Sequence, residues 1–311
     1  MEYILLIIGL ILLITGGNLL VDGAVAIAKK LGLSTLVIGL VLVGFGTSTP
    51  ELMASLLSAF RGENGIAIGN VVGSNIANIL LVLGFAAFVY PVAVDTKAFK
   101  RDGLTLIISC ILLTGSMAFG LINRILGCVL IITLLCYISY CYYSDKKEQK
   151  NISTETPSNE KTEKHSPIWL GILKSIGGIA LTVYGAKLLV DNAVLLATSW
   201  GVSSEVIGLT VVAVGTSLPE LTASAVASFK KENGVAFGNV VGSNIYNALF
   251  IIGSVAVIKP IEVPAIMMRD AYMMCGVTAI LCLIALWRKQ FSRWVGLSFL
   301  IAYGLYTYSL F

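Results

Sequence analysis

Gly44-Phe45-Gly46-Thr47-Ser48-Thr49-Pro50-Glu51 places a carboxylate, three hydroxyls, two glycines and a proline inside the apolar run 36–60. A charge at membrane depth costs roughly 2.5–3.5 kcal/mol on insertion scales, so it faces a cavity or the bundle interior and marks an ion or substrate path. Pro50 has no N–H and clashes with the carbonyl one turn back, which leaves backbone carbonyls near Gly46 without their helical partners. Such carbonyls are tolerated at that depth only inside protein or against a cavity. Carbonyls, hydroxyls and a carboxylate together make a hard-oxygen set suited to a metal cation.

The same chemistry occurs twice. Val214-Gly215-Thr216-Ser217-Leu218-Pro219-Glu220 repeats the motif 169 residues later. At that constant offset Asp22 maps to Asp191, Glu51 to Glu220, Ser74 to Ser243, Asn78 to Asn247 and Pro91 to Pro260. Between 63 and 78, 13 of 16 residues match 232–247. Chance does not supply such a match, so the chain is two homologous halves.

Each half adds a second polar stretch. Gly69-Asn70-Val71-Val72-Gly73-Ser74-Asn75-Ile76-Ala77-Asn78 has its counterpart in Gly238 to Asn247. Ser74 and Asn78 are spaced i, i+4 and share a helix face, as do Ser243 and Asn247. Glycines at 69 and 73, and at 238 and 242, let two backbones approach closely, which would press Ser74 and Asn78 against the Glu51 helix. Isolated Ser and Thr here are explained by interhelical hydrogen bonds, and for Asn78 and Asn247 spacing alone does not separate that role from a ligand's. For Glu51 and Glu220 a purely structural role fails, because an unpaired buried carboxylate is too costly to keep. Lys187 is the one basic residue placed to neutralise them, unless its long side chain reaches the interface. The formal −2 of the pair is balanced by one divalent or two monovalent cations. Flexible oxygen ligation without Cys or His favours calcium and sodium over zinc, copper or iron.

Composition sets the elements that must hold these groups. The 311 residues are 57% hydrophobic and 12% charged, with mean hydropathy +0.91. A soluble domain carries about 25% charged residues, so the chain is an integral membrane protein. The apolar runs are long and do not alternate, which selects helices over a barrel. The net charge of +4 says nothing of nucleic acid here. The six cysteines lack metal-ligand spacing and read as small membrane-helix side chains. Met1-Glu2-Tyr3 offers no basic region and no cleavage site follows, so the first apolar run is expected to be a retained helix.

Ten spans are expected, near 3–28, 35–60, 66–90, 103–119, 122–143, 168–197, 203–229, 235–258, 265–287 and 293–310. Residues 1–143 form the first half, 144–167 a polar linker and 168–311 the second half. The linker holds the single histidine, His165, and a formal glycosylation triplet at Asn151, neither of which is given a role. Of the 21 Lys and Arg, fifteen lie in loops after odd-numbered spans and four in loops after even-numbered ones; Lys174 and Lys187 lie in the sixth span. That bias puts the odd loops and the linker in the cytoplasm and both termini outside. Equivalent spans are five apart, so the halves cross the membrane in opposite directions. The expected fold is all-α: ten transmembrane helices in two inverted-topology five-helix repeats, with broken helices meeting at the repeat interface near the midplane.

The paired Gly-Thr-Ser-x-Pro-Glu and Gly-Ser-Asn-Ile-x-Asn blocks resemble the two alpha-repeats of the cation/calcium exchanger superfamily, in its sodium/calcium exchanger branch. The likeness extends over nearly the whole chain. It implies a multi-pass cell-membrane antiporter, without enzymatic activity or cofactor, that exchanges sodium for calcium by alternating access. It implies a calcium site of Glu51, Glu220, Thr47 and Thr216 with the carbonyls of Gly44 and Ala213. It implies sodium sites that add Ser48, Ser217, Ser74, Ser243, Asn78 and Asn247. The first and sixth spans resemble a gating pair that slides past an eight-helix core. The partners implied are the two ions and the lipid bilayer, with no nucleic acid and no obligate protein. The proton-coupled calcium exchangers typically carry Gly-Asn-x-x-Glu at the motif, which disfavours them as the alternative. A channel fits repeat-paired broken helices less well. Asn247 stands where potassium-dependent relatives carry Asp, and the 24-residue linker has no room for large calcium-sensing domains. Asp22 and Asp191, towards the ends of the first and sixth spans and on opposite sides of the membrane if the halves are inverted, either attract cations at the two entrances or cap neighbouring backbone.

Overall fold

The computed structural model describes residues 2–155, 167–200 and 213–310. Helix α1 (Glu2–Leu31) shows Ile4, Ile7 and Ile11 on its outer side, as a lipid-facing helix must. Gly32 ends it in the left-handed region (φ +63°), and the Ser34 hydroxyl accepts the Val37 N–H at 3.2 Å to start α2 (Thr35–Thr47). Ser48 leaves helical geometry (φ −84°, ψ 9°), and α3 (Thr49–Arg61) departs at 44° from α2. Pro50 sits in the first turn of α3, where its missing N–H removes no bond. Then come α4 (Asn64–Val89), α5 (Thr96–Ala118), α6 (Arg124–Glu155) and α7 (Ile168–Ser199). The second half continues with α8 (Ala213–Thr216), α9 (Leu218–Phe229), α10 (Asn233–Ile258), α11 (Met267–Trp287) and α12 (Arg293–Tyr308).

Seven of these helices are long and apolar enough to cross a membrane, or eight with the bent α2–α3 pair counted as one span, among the described residues. The expected span 203–229 begins outside the described residues, as does much of the expected linker with His165. The last expected span is the 16-residue α12. The fifth, placed at 122–143, belongs to a longer helix that runs to Glu155.

The helical expectation misses four two-residue strands. β1 (Val92–Ala93) pairs antiparallel with β4 (Gln290–Phe291), and β2 (Leu121–Ile122) with β3 (Ile261–Glu262). The 169-residue offset carries β1 onto β3 and β2 onto β4, so each ribbon is the other with the halves exchanged. Two residues are too few to alternate visibly in sequence.

α1 and α7 lie against each other along their length. Gly9 meets Gly185, Gly16 meets Gly178 and Gly23 meets Gly171, so these repeat-equivalent helices run antiparallel. Lipid tails are as apolar as Leu, so such pairs are held by close van der Waals packing, which small residues permit. A Cβ on Gly178 would lie 2.5 Å from the Leu20 nitrogen and 2.7 Å from the Gly16 oxygen. Neither backbone atom can swing away. Gly178→Ala is therefore expected to cost about 1–3 kcal/mol and to lower the melting temperature in detergent. The control is Gly177→Ala, whose Cβ meets nothing within 4 Å among the described residues and leaves melting unchanged.

Candidate functional site

The site is built where the two broken helices face each other. Both carboxyl-bearing residues, Glu51 at the start of α3 and Glu220 at the start of α9, are buried (1% exposed). Each follows a break: Ser48 (ψ 9°) and Ser217 (ψ 6°) step out of helical geometry one residue before the proline-bearing turn. Pro50 and Pro219 cannot extend the preceding helix, so each new helix starts at the carboxylate's own turn.

Contacts across the halves join the site. The Ser48 hydroxyl donates to Glu220 Oε1 at 3.1 Å. Thr47 Oγ1 donates to the Val43 carbonyl at 3.0 Å and lies 3.3 Å from Asn239 Oδ1. Ser243 Oγ reaches the Gly44 carbonyl at 3.5 Å, which also accepts the Ser48 N–H at 3.1 Å. This closeness comes from Gly238 and Gly242. A Cβ on Gly242 would lie 2.5 Å from Leu40 Cα. Sequence reasoning placed that approach against the helix of the same half. The structure instead presses α10 onto α2 of the other half. The mirror approach on Gly69 and Gly73 would come from residues near 205–209, outside the described residues.

Ser217 (2%), Ser74 (6%), Ser243 (0%), Asn78 (1%) and Asn247 (1%) are all buried. Asn78 and Asn247 each open a wide, π-helical turn, Asn78–Leu83 and Asn247–Ile251. Such turns cluster at functional sites. The turn at Asn247 packs against α3, which carries Glu51, and the turn at Asn78 against α9, which carries Glu220. Thr216 ends the short α8, and Ala213 begins it at the edge of the described residues.

Several polar atoms here have no partner. Glu51 Oε2, Glu220 Oε2, Asn78 Oδ1 and Asn247 Oδ1 are buried with no hydrogen bond among the described residues. Buried polar atoms are paired in more than about nine cases in ten, so four orphaned oxygens in one region call for an occupant. No cation lies in ion-pair range of either glutamate among the described residues, and Lys187, the one considered, is exposed. Four hard oxygens from four helices are the donor type that an alkali or alkaline-earth cation takes, and part of the roughly six to eight that calcium fills.

Sequence reasoning missed the groups that brace the glutamates. Asn70 Nδ2 donates to the Glu51 carbonyl at 3.0 Å and the Ser55 hydroxyl at 2.8 Å. Asn239 does the same to the Glu220 carbonyl at 3.1 Å and Ser224 at 2.8 Å. The signal was present, since both pairs obey the 169-residue offset, but spacing does not show which backbone an amide will reach. Phe45, Tyr246 and Phe250 form an aromatic group beside the motif, with ring centroids 4.6 Å (Phe45–Tyr246) and 4.7 Å (Tyr246–Phe250) apart. Asn239→Ala removes the amide donor shared by the Glu220 carbonyl and the Ser224 hydroxyl. A loss of about 1–2 kcal/mol is expected, read as a lower melting temperature, with Asn239→Ser recovering part of it.

Known proteins carry the same organisation. A family profile described as sodium/calcium exchanger protein matches residues 1–143 and 170–311. The putative antiporter CaxA of Alkalimonas amylolytica is 36% identical over 99% of this chain and 98% of its own. The sodium/calcium exchanger MaX1 of Methanosarcina acetivorans is 32% identical over 100% of this chain and 98% of its own. Among solved structures, the sodium-calcium exchanger NCX_Mj soaked with Na+ and Sr2+ superposes with a TM-score of 0.82 at 30% identity, covering 98% of this chain and 96% of that one.

Proposed function

The chain belongs to the sodium/calcium exchanger protein family, and on that premise we propose that it is an antiporter that exchanges sodium for calcium at one site built around Glu51 and Glu220. The observation that carries this reading is the pair of buried carboxylates with orphaned oxygens and no counter-cation among the described residues. Two ionised carboxylates at membrane depth are too costly to leave bare. One calcium or two sodium ions neutralise them, and the same oxygens cannot hold both loads together. An empty site cannot cross the low-dielectric barrier, so a calcium ion leaving on one side must be replaced before the site turns. Coupled exchange follows from that constraint.

The calcium ligands in this reading are Glu51, Glu220, Thr47 and Thr216 with the carbonyls of Gly44 and Ala213. Ser48, Ser217, Ser74, Ser243, Asn78 and Asn247 serve sodium. The halves are 1–143 and 168–311, each with five spans, crossing in opposite directions and joined by a cytoplasmic linker, with both termini outside. The antiparallel α1–α7 pair and the exchanged ribbons support the inversion. The Lys/Arg bias supports the orientation. No resident cofactor enters; the metal ions are the cargo.

In reconstituted vesicles loaded with sodium, external calcium is expected to enter only while the sodium gradient stands. Potassium, lithium and proton gradients should fail to replace it. Calcium uptake driven by the proton gradient alone would instead make this a proton-coupled exchanger. Uptake with no gradient dependence would make it a channel. Glu51→Gln and Glu220→Gln each leave a divalent ion with one uncompensated charge, so calcium exchange should fall at least roughly 100-fold. Near-normal calcium flux in both variants would remove the glutamates from the site.

A further inference from the structure

Asp22 and Asp191 are equivalent, yet the structure uses them differently. Lys230 Nζ donates to Asp22 Oδ1 at 2.8 Å and to the Asn18 carbonyl at 3.3 Å, tying α1 to the end of α9. The 169-residue offset carries Asp22 to Asp191 and Lys230 to Arg61, so the other half has its own acid and base in the same places. Arg61 and Asp191 are both exposed and form no ion pair among the described residues. The asymmetry recurs at the site: Ser48 donates to Glu220, while no Ser217–Glu51 bond forms among the described residues.

The two aspartates lie at opposite ends of the antiparallel α1–α7 pair. Gly23 touches Gly171, so Asp22 lies beside that end of α7. Asp191 is 20 residues further along α7, about 30 Å at 1.5 Å per residue. Equivalent residues in the two halves also define a second arrangement, in which their roles are exchanged. In it Arg61 holds Asp191 and Lys230 releases Asp22.

We propose that Asp22–Lys230 and Arg61–Asp191 are reciprocal latches that close alternately during transport, each fastening the α1–α7 pair to the rest of the bundle at one face of the membrane. The closed Asp22–Lys230 latch marks its own face as the shut one in this structure. This rests on the antiport reading above, since only a carrier with two exchanging states needs such a pair. The latch is partly exposed, with Asp22 52% and Lys230 30% accessible. Exposed ion pairs bias an equilibrium by only roughly two- to fivefold, and a latch that must open in every cycle needs to be weak.

The test uses the apparent KM for calcium at each face in oriented vesicles. Asp22→Asn is expected to lower KM at the face where Asp22 lies and to raise it at the other, by roughly two- to fivefold. Asp191→Asn should do the reverse, and Asp22→Lys combined with Lys230→Asp should restore both values. Equal shifts at the two faces, or no shift in either variant, overturn the latches.

A second measurement needs no transport. The background is Cys110→Ser, which removes the native thiol contact between halves (Cys110 to Cys275, 3.2 Å). Arg61→Cys and Asp191→Cys are added, and the chain is treated with a short bis-maleimide, whose two double bonds each add one thiol, and then cut in the linker. Adding Asp22→Asn should raise the yield of covalently joined halves. A yield that does not respond, in a protein that exchanges calcium for sodium, sinks the latches and spares the antiport reading. A yield that responds, in a protein that shows no sodium-driven calcium flux, sinks the antiport reading and spares the latches.

Discussion

Two carboxylates buried in an apolar bundle, with no cation beside them among the described residues, set the terms for everything around them. The charge of Glu51 and Glu220 cannot be spread into solvent, because both are 1% exposed. Nor is it shared with Arg or Lys among the described residues. The surrounding chemistry is limited to oxygens and amides that tolerate either an ion or its absence. The breaks at Ser48 and Ser217, the wide turns at Asn78 and Asn247, and the amides of Asn70 and Asn239 all serve to present or steady those oxygens.

The site also belongs to neither half. Thr47 and Ser48 of the first half touch Asn239 and Glu220 of the second, and Ser243 touches Gly44. Glycine makes this possible, since α10 seats on α2 through Gly238 and Gly242 where any side chain would meet backbone. Shared construction means that a shift of one half against the other alters all of these cross-half contacts at once. The aromatic group at Phe45, Tyr246 and Phe250 has Val214, Ala77 and Leu81 at the repeat-equivalent positions. The halves are thus alike in ligands and unlike in their walls.

Much of this was legible in the residues. A glutamate, a proline and hydroxyls inside an apolar run can be explained only by a polar interior, and a second copy at constant offset fixes which residues correspond. What stayed hidden depended on contacts between distant segments. The two-residue strands are too short to carry a period, yet they tie the loops of one half to those of the other. Asn70 and Asn239 read as members of a polar stretch, and only their reach to the Glu51 and Glu220 carbonyls gave them a task. The glycines at 238 and 242 announced a close approach, but not that its partner would be α2 of the other half.

Sequence alone determined the class, the duplication and the oxygen-bearing residues of the motifs, because hydropathy, repetition and side-chain chemistry are local properties of a chain. Tertiary structure decided which half each ligand faces, which glycine meets which backbone, and that Asp22 is paired with Lys230 while Asp191 is not paired with Arg61. These are choices between arrangements of one sequence repeated, and a repeat by itself treats its two copies alike. Only packing in three dimensions can make equivalent residues unequal.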